Sequence, residues 1–162
     1  MKKLKKRMII VLTSILLLLQ VFPVYAEDNS DTEWYEMVEE EFNVAEDNID
    51  DLATPYTLYI MNVQTSLAKL SSSKLGLRAD VYCTSTVQSI TVTFYLQKYN
   101  GSTWVNVSSG TPSPTTNVSS TAKQATVSGL SSGTYRAKSI TRVVDKYGYA
   151  ETVTGYSGSL TI

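Results

Sequence analysis

Regular alternation of apolar and polar side chains is the feature of this sequence that most restricts its fold. In residues 89–99 (SITVTFYLQKY) the apolar members recur at every second position: Ile90, Val92, Phe94 and Leu96. Successive side chains of a β-strand point to opposite faces, so this spacing predicts a strand with one buried and one polar face. Residues 74–83 (KLGLRADVYC) repeat the pattern at Leu75, Leu77, Ala79, Val81 and Cys83.

Short segments of this kind, separated by glycine, asparagine and serine turns, continue from Pro55 to residue 162. We predict about seven strands, at 57–69, 74–83, 87–99, 103–108, 121–128, 134–144 and 149–161. This spacing is typical of an antiparallel sandwich, so residues 55–162 are predicted to form an all-β domain of the immunoglobulin or fibronectin type. The stretch SSGTPSPTTNV (108–118) predicts a mobile loop that extends to about residue 120.

Turn residues predict the register of two hairpins. Asn100-Gly101 is typical of a type I′ turn, because both residues tolerate positive φ. That turn would pair Leu96 with Val105, Phe94 with Val107, and Gln97 with Trp104. A second turn near Lys146-Tyr147 would place Arg142 opposite Glu151.

The strand predicted at 134–144 has a basic face and an uncharged face. Its outward, solvated residues are expected to be Arg136, Lys138 and Arg142, and its inward residues Tyr135, Ala137, Ser139, Thr141 and Val143. A leucine, a glycine turn and a tyrosine that opens a strand resemble the corner before the sixth strand of immunoglobulin-like sandwiches. Leu130 and Tyr135 are therefore expected to be packing residues.

Residues 1–26 have the layout of a secretory signal peptide. Five cations lie between residues 2 and 7, an apolar run spans 8–22, and Val24 and Ala26 place small residues two positions apart. The run is about 15 residues long, whereas a membrane-spanning helix needs roughly 20. We expect cleavage after Ala26 and release outside the cell without membrane attachment; an uncleaved anchor is the alternative.

Charge is distributed unevenly along the chain. Residues 27–53 carry twelve acids and no base, whereas residues 54–162 carry nine bases and three acids. In the acidic segment 27–54, apolar residues recur at helical spacing: Trp34, Val38, Phe42, Ala45, Ile49 and Leu52. This pattern predicts an amphipathic helix that docks on its own domain or on a partner. A partly disordered spacer and a processed pro-segment are the alternatives.

Residue types that carry enzyme chemistry are scarce. The sequence has no histidine and one cysteine, Cys83, which excludes histidine-dependent triads, histidine metal sites and internal disulfides. Cys83 lies in phase with core positions and is expected to be buried. The acids of the β domain are Asp80, Asp145 and Glu151, too few for a convincing catalytic pair. We predict no enzyme activity, no cofactor and no metal.

Two sets of outward side chains are candidates for binding. Tyr95, Gln97, Tyr99 and Trp104 combine flat rings with an amide, which suits sugar rings and peptides; a structural layer covering these rings is the alternative. Arg136, Lys138 and Arg142 form a candidate basic surface.

Together with the predicted signal peptide and the scarcity of catalytic residue types, these sets predict a secreted, non-catalytic binding or cell-surface interaction module. Its partner would be a cell-wall polymer, a carbohydrate or a protein surface. Nucleic acid is disfavoured, because the bases are spread over several strands. The alternatives are a basic wall-polymer-binding domain masked by its own acidic tail, and a secreted inhibitor or toxin-like effector that uses the 108–120 loop.

Three stretches resemble a group of small exported proteins of Gram-positive bacteria whose function is unknown: YLQKYNGSTW (95–104), GTYRAKS (133–139) and ETVTGYSGS (151–159). The resemblance covers about residues 56–162. It implies an exported β-sandwich and carries no catalytic or ligand residue across.

Export can be tested by the intact mass of the protein recovered from culture supernatant. Cleavage after Ala26 predicts a chain that begins at Glu27, because signal peptidase cuts after the small residue of its motif. A supernatant mass equal to that of all 162 residues would contradict cleavage.

Overall fold

The structure is a computed structural model that describes residues 33–43, 48–49 and 58–162. Nine β-strands are the regular elements of these residues: β1 (Met37–Val38), β2 (Asn48–Ile49), β3 (Ile60–Lys69), β4 (Lys74–Tyr99), β5 (Trp104–Gly110), β6 (Thr115–Ser128), β7 (Thr134–Val144), β8 (Ala150–Tyr156) and β9 (Leu160–Thr161). All strand pairs are antiparallel. The described residues contain no helix able to span a membrane. The prediction of an all-β domain is confirmed.

Strand β4 belongs to both halves of the sheet. From Lys74 to Tyr82 it pairs with β3 on one side and β6 on the other, and we call this set the first half-sheet. From Ser89 to Lys98 it pairs with β7, while β5 and the start of β6 lie on its other side. Strands β5, β7, β8 and this part of β4 form the second half-sheet. The strands predicted at 74–83 and 87–99 are therefore one continuous strand.

One hydrophobic core joins the two half-sheets. The predicted inward rows of β4 are buried: Leu75, Leu77, Ala79, Val81, Cys83, Ile90, Val92, Phe94 and Leu96. Each large side chain buried in this way contributes about 1.5–3 kcal/mol. The hydroxyls of Thr65 in β3 and Ser139 in β7 are hydrogen-bonded at 2.6 Å, although these strands are not paired. The half-sheets thus face each other, consistent with a β-sandwich.

The remaining core predictions are also confirmed. Cys83 is a free, buried cysteine, and burial raises the pKa of its thiol. Leu130 and Tyr135 are buried, and the Tyr135 hydroxyl donates to the carbonyl oxygen of Ser131 at 2.7 Å. The predicted inward residues of β7 are all buried. The hydrogen bond between Tyr135 and Ser131 holds the corner at which the chain enters β7.

The predicted acidic helix is wrong over residues 33–43, which contain no helix and include strand β1. Strand β1 pairs with β6, and strand β2 pairs with β3 at the opposite edge of the first half-sheet. Trp34 and Val38, two members of the predicted apolar stripe, are exposed. A helix would hold like-charged glutamates three and four residues apart, whereas the sheet edges offer unpaired backbone groups. Ala45 and Leu52 lie outside the described residues.

Residues 33–43, which we call the strap, dock on the first half-sheet. The Tyr35 side chain is buried in the core and its hydroxyl is 2.9 Å from that of Ser131. The Phe42 ring lies on Gly76, where a Cβ would come within 2.5 Å of it. Glu40 pairs with Lys74 at 2.8 Å, and this hydrogen bond is the main cause that lowers the pKa of Glu40. Of the alternatives open for this segment, the described residues show docking on its own domain, by a strap that contains strand β1 and no helix.

The loop predicted at 108–120 is mostly strand. Strand β5 continues to Gly110 and β6 begins at Thr115, so residues 111–114 alone connect them. The threonine-rich start of β6 pairs with residues 87–90 of β4, and threonine is favoured on such a pleated surface. Asn117 within it has a left-handed backbone, with φ 56°.

The predicted register of the first hairpin is wrong. Tyr99 lies opposite Trp104, so the turn has four residues, not two. The side-chain oxygen of Asn100 accepts the backbone N–H groups of Ser102 and Thr103, which stabilises the longer turn. A register shift between Leu96 and Gln97 places Val107 in the core, whereas Val105 is half-buried.

The second hairpin is displaced by one residue from its predicted register. Glu151 lies opposite Val143, and Arg142 lies opposite Thr152. The Glu151 carboxylate accepts the backbone N–H groups of residues 58–60. The strand predicted at 149–161 is divided into β8 and β9. The displacement follows from a turn that closes between Asp145 and Tyr149, whose backbone groups are hydrogen-bonded.

Asp145 organises this second turn. Its buried carboxylate accepts the backbone N–H groups of Tyr147 and Tyr149, each at 2.8 Å, and the hydroxyl of Tyr59. Burial by itself raises the pKa of Asp145, but these hydrogen bonds outweigh burial and the pKa lies below its ordinary value. The ionised carboxylate is the form that holds the turn.

Removal of the Phe42 ring tests the strap. We expect Phe42→Ala to lower the free energy of unfolding by about 1–2 kcal/mol, because the ring is partly buried over Gly76. Val38→Ala, an exposed change in the same segment, should lie within about 0.5 kcal/mol of the unsubstituted protein. Urea unfolding measures both, and equal effects would contradict the docking.

Acid titration tests Asp145. The pKa of Asp145 is lowered in the folded protein. The contribution of Asp145 to stability is therefore complete above its unfolded pKa of about 3.9 and is lost as the pH falls through its folded pKa. We expect Asp145→Asn to be less stable at neutral pH. Its free energy of unfolding should also vary less with pH below about pH 5. Urea unfolding at a series of pH values checks this, and identical slopes would contradict it.

Candidate functional site

The outer face of the second half-sheet brings together the aromatic candidate set and two of the three candidate basic residues, Arg136 and Lys138. Antiparallel pairing of β4 with β7 places Tyr95 opposite Lys138 and Gln97 opposite Arg136. Their inward neighbours Leu96 and Ala137 are buried, so the alternation of each strand turns the candidates outward. We call this surface the aromatic–cationic face; it comprises Tyr95, Gln97, Tyr99, Trp104, Arg136, Lys138 and Tyr156.

Arg136 lies between two aromatic rings at the centre of the aromatic–cationic face. Its guanidinium carbon is 4.5 Å from the ring centroid of Trp104 and 4.6 Å from that of Tyr156. Each such cation–π contact is worth about 0.5–2 kcal/mol, depending on exposure. Its Nε–H donates to the side-chain oxygen of Gln97 at 2.8 Å. The terminal amino groups of Arg136 have no hydrogen-bond partner among the described residues.

Gln97 has a positioning role that the sequence pattern did not predict. It is 7% exposed, and its amide nitrogen donates to the side-chain oxygen of Asn106 at 2.8 Å while its oxygen accepts from Arg136. Both ends of this amide are therefore used within the protein. Gln97 orients the arginine and connects three adjacent strands.

The remaining rings and the second cation surround this centre. Lys138 Nζ is 5.5 Å from the ring centroid of Tyr95. The rings of Tyr99 and Trp104 are 5.3 Å apart at an interplanar angle of 49°, a tilted contact that aromatic pairs favour. Tyr99 is 42% exposed. This part of the face therefore offers ring surface and a cation to solvent.

The electrostatic character of the face is positive. Arg142, further along β7, is exposed and lies opposite Thr91 and Thr152. Among the described residues, none of Arg136, Lys138 and Arg142 forms an ion pair. Three cations that have no carboxylate partner among the described residues make this surface attractive to an anionic ligand, most strongly at low ionic strength.

The strap lies away from this face. Its described contacts are with the first half-sheet, with the carbonyl oxygen of Val107 and with residues 110, 113 and 131. Lys98, which lies between Gln97 and Tyr99 in β4, is turned to the other side of the strand, where its Nζ donates to the Ser131 hydroxyl at 2.6 Å.

Sequence reasoning missed Tyr156. This residue becomes part of the site because β8 pairs with β7 and sets Tyr156 opposite Lys138. A correct register for the second hairpin would have indicated it, but the predicted register was displaced by one residue.

The chemistry that the face offers is ring stacking and charge-assisted hydrogen bonding. Among the residues that the structure describes, no group of three cysteine or acidic side chains is placed to hold a metal ion. Comparison of the chain with protein-family models, with curated proteins and with solved structures finds no match.

Proposed function

We propose that this protein is a secreted, non-catalytic binding module and that its aromatic–cationic face binds an anionic polysaccharide, such as a cell-wall polymer. The observation that carries the proposal is Arg136, stacked between Trp104 and Tyr156 and without an ion pair among the described residues. A guanidinium fixed in this way is ready to bind a carboxylate or phosphate group through two parallel hydrogen bonds.

The rings explain why the ligand would be a sugar polymer and not a simple anion. Partly exposed aromatic rings, such as those of Tyr95, Tyr99 and Trp104, present flat apolar surface to the C–H faces of sugar rings. Lys138 and Arg142 extend the positive charge along β7. A chain of sugar rings that carries regularly spaced anionic groups would contact both features at once.

Export and the finer type of fold belong to the same proposal. The cations and apolar run of residues 1–26 support cleavage after Ala26 and release from a Gram-positive cell. We infer an immunoglobulin- or fibronectin-type sandwich from the pairing of β3 and β6 with the first half of β4, and of β5 and β7 with its second half. The Tyr135 hydrogen bond at the entry to β7 supports this type.

The two alternative functions have less support. A mask formed by the acidic segment would have to cover the aromatic–cationic face, whereas the described contacts of the strap are with the first half-sheet, with β5 residues outside that face and with residues 113 and 131. An inhibitor that acts through residues 108–120 would need a protruding loop, whereas most of this stretch is strand.

Binding of the chain from Glu27 to polygalacturonate and to polyphosphate, with dextran as a neutral control, tests the proposal. We expect saturable binding to at least one of the anionic polymers that weakens as salt is raised, and no binding to dextran by this face. Arg136→Ala and Trp104→Ala should each weaken binding about tenfold or more, equivalent to about 1.4 kcal/mol. Isothermal calorimetry measures these affinities.

Two control variants separate a built site from general positive charge. Lys69→Ala removes an exposed cation from the first half-sheet and should change affinity less than about twofold. Arg136→Lys keeps the charge but loses the planar, stacked guanidinium, and should bind almost as weakly as Arg136→Ala. Equal losses in Lys69→Ala and Arg136→Ala, or no binding to either anionic polymer at low salt, would refute the proposal.

A further inference from the structure

A second concave surface lies where β4 passes from one half-sheet to the other. The register of β4 with β6 is interrupted between Tyr82 and Val87, and the turn between β7 and β8 lies beside this interruption. The resulting cleft, which we call the end cleft, has a volume of about 580 Å³. This volume falls within the range of about 300–1,000 Å³ that is usual for small-molecule sites.

The side chains that line the end cleft are aromatic, hydroxyl and amide groups. They include Tyr59, Ser85, Thr86, Gln88, Asn117 and Tyr147. The side chains of Ser85, Thr86, Gln88 and Asn117 make no hydrogen bond within the described residues. These four residues therefore bring uncommitted donors and acceptors to one cavity.

The formal charges of the end cleft balance. Asp145 and Lys146 both line it, one acidic and one basic. Asp145 is 4% exposed, and its carboxylate already accepts hydrogen bonds from Tyr59 and from backbone N–H groups, so it holds the wall of the cleft in place. Lys146 Nζ lies 4.9 Å from the ring centroid of Tyr147. The cleft thus lacks the excess of positive charge that characterises the aromatic–cationic face.

Apolar surface accompanies these polar groups. Tyr147, which lines the end cleft, is 74% exposed, so its ring is accessible there; Val87 also lines the cleft but is 2% exposed and adds little surface. A pyranose ring has the matching character, because its C–H faces are apolar and its hydroxyl edge both donates and accepts hydrogen bonds. Aromatic rings stack on such faces, while amides and hydroxyls satisfy the edge.

We propose that the end cleft is a second binding site, which takes a neutral saccharide unit with one face of the sugar stacked on Tyr147 and its hydroxyls bonded by Gln88 and Asn117. This proposal does not depend on the function of the aromatic–cationic face, since it concerns other residues and an uncharged ligand. A domain with both sites would contact one polysaccharide at two points, or two different glycans.

Binding of the chain from Glu27 to four neutral probes tests the end cleft: cellotetraose, maltotetraose, mannotetraose and chitotetraose. We expect saturable binding of at least one probe by calorimetry, with little dependence on salt because the ligand is uncharged. Tyr147→Ala should weaken it about tenfold or more, and Gln88→Ala about threefold or more, through lost stacking and lost hydrogen bonds.

Tyr149→Ala is the matched control for Tyr147→Ala. Tyr149 is 69% exposed in the same turn region but does not line the end cleft, so its replacement should leave affinity within about twofold. Because both side chains are exposed, we expect neither change to alter the midpoint of thermal unfolding. An unchanged midpoint would show that each variant is folded. Trp104→Ala, on the aromatic–cationic face, should also bind the neutral probe normally.

Three results would overturn this second site. The first is the absence of binding by all four probes at concentrations up to about 10 mM, where even a weak site with a Kd near 1 mM would be filled. The second is an equal loss of affinity in Tyr147→Ala and Tyr149→Ala. The third is loss of neutral-sugar binding in Trp104→Ala, which would assign that binding to the aromatic–cationic face. If the protein bound a neutral probe but neither anionic polymer, the proposal for the aromatic–cationic face would be refuted and the proposal for the end cleft would not.

Discussion

The shared strand β4 is the element on which the rest of the structure depends. Its 26 residues supply inward side chains to both half-sheets, and these side chains meet in one core. Its first part is hydrogen-bonded to β3 and β6 and its second part to β5 and β7. Because both parts belong to one continuous backbone, β4 links the two half-sheets covalently. The burial of its alternating apolar rows provides the driving force for closing one layer on the other.

The acidic segment shows how a sheet edge can override a helical pattern. The apolar spacing of residues 34–52 fits a helix, yet the described part of this segment pairs with the edges of β6 and β3. Aromatic and acidic side chains of this segment both contact the domain: Tyr35 enters the core, Phe42 covers Gly76, and Glu40 pairs with Lys74. Pairing also covers edges that would otherwise expose backbone groups to other chains.

The two candidate binding surfaces arise from different features of the same fold. The aromatic–cationic face is a flat surface made by strand pairing, in which Gln97 holds Arg136 between two rings. The end cleft is concave and is made by the change of layer in β4 and by the turn that Asp145 organises. A flat, charged surface suits a long anionic polymer, whereas a neutral cavity suits a single sugar unit, so the proposed ligands follow from shape as well as charge.

Local alternation alone was enough to predict which side of β4 and of β7 is buried. Alternation identified the inward row of β4 and the outward cations of β7, because the side-chain period of a strand is a local property. Lateral pairing became known only from the fold: the registers of both hairpins, the pairing of the strap with β6 and the position of Tyr156 beside Arg136. Pairing depends on contacts between residues distant in sequence, where a shift of one position changes every partner. Sequence reasoning therefore found most of the aromatic–cationic face as two separate sets, and only the fold joined them into one surface.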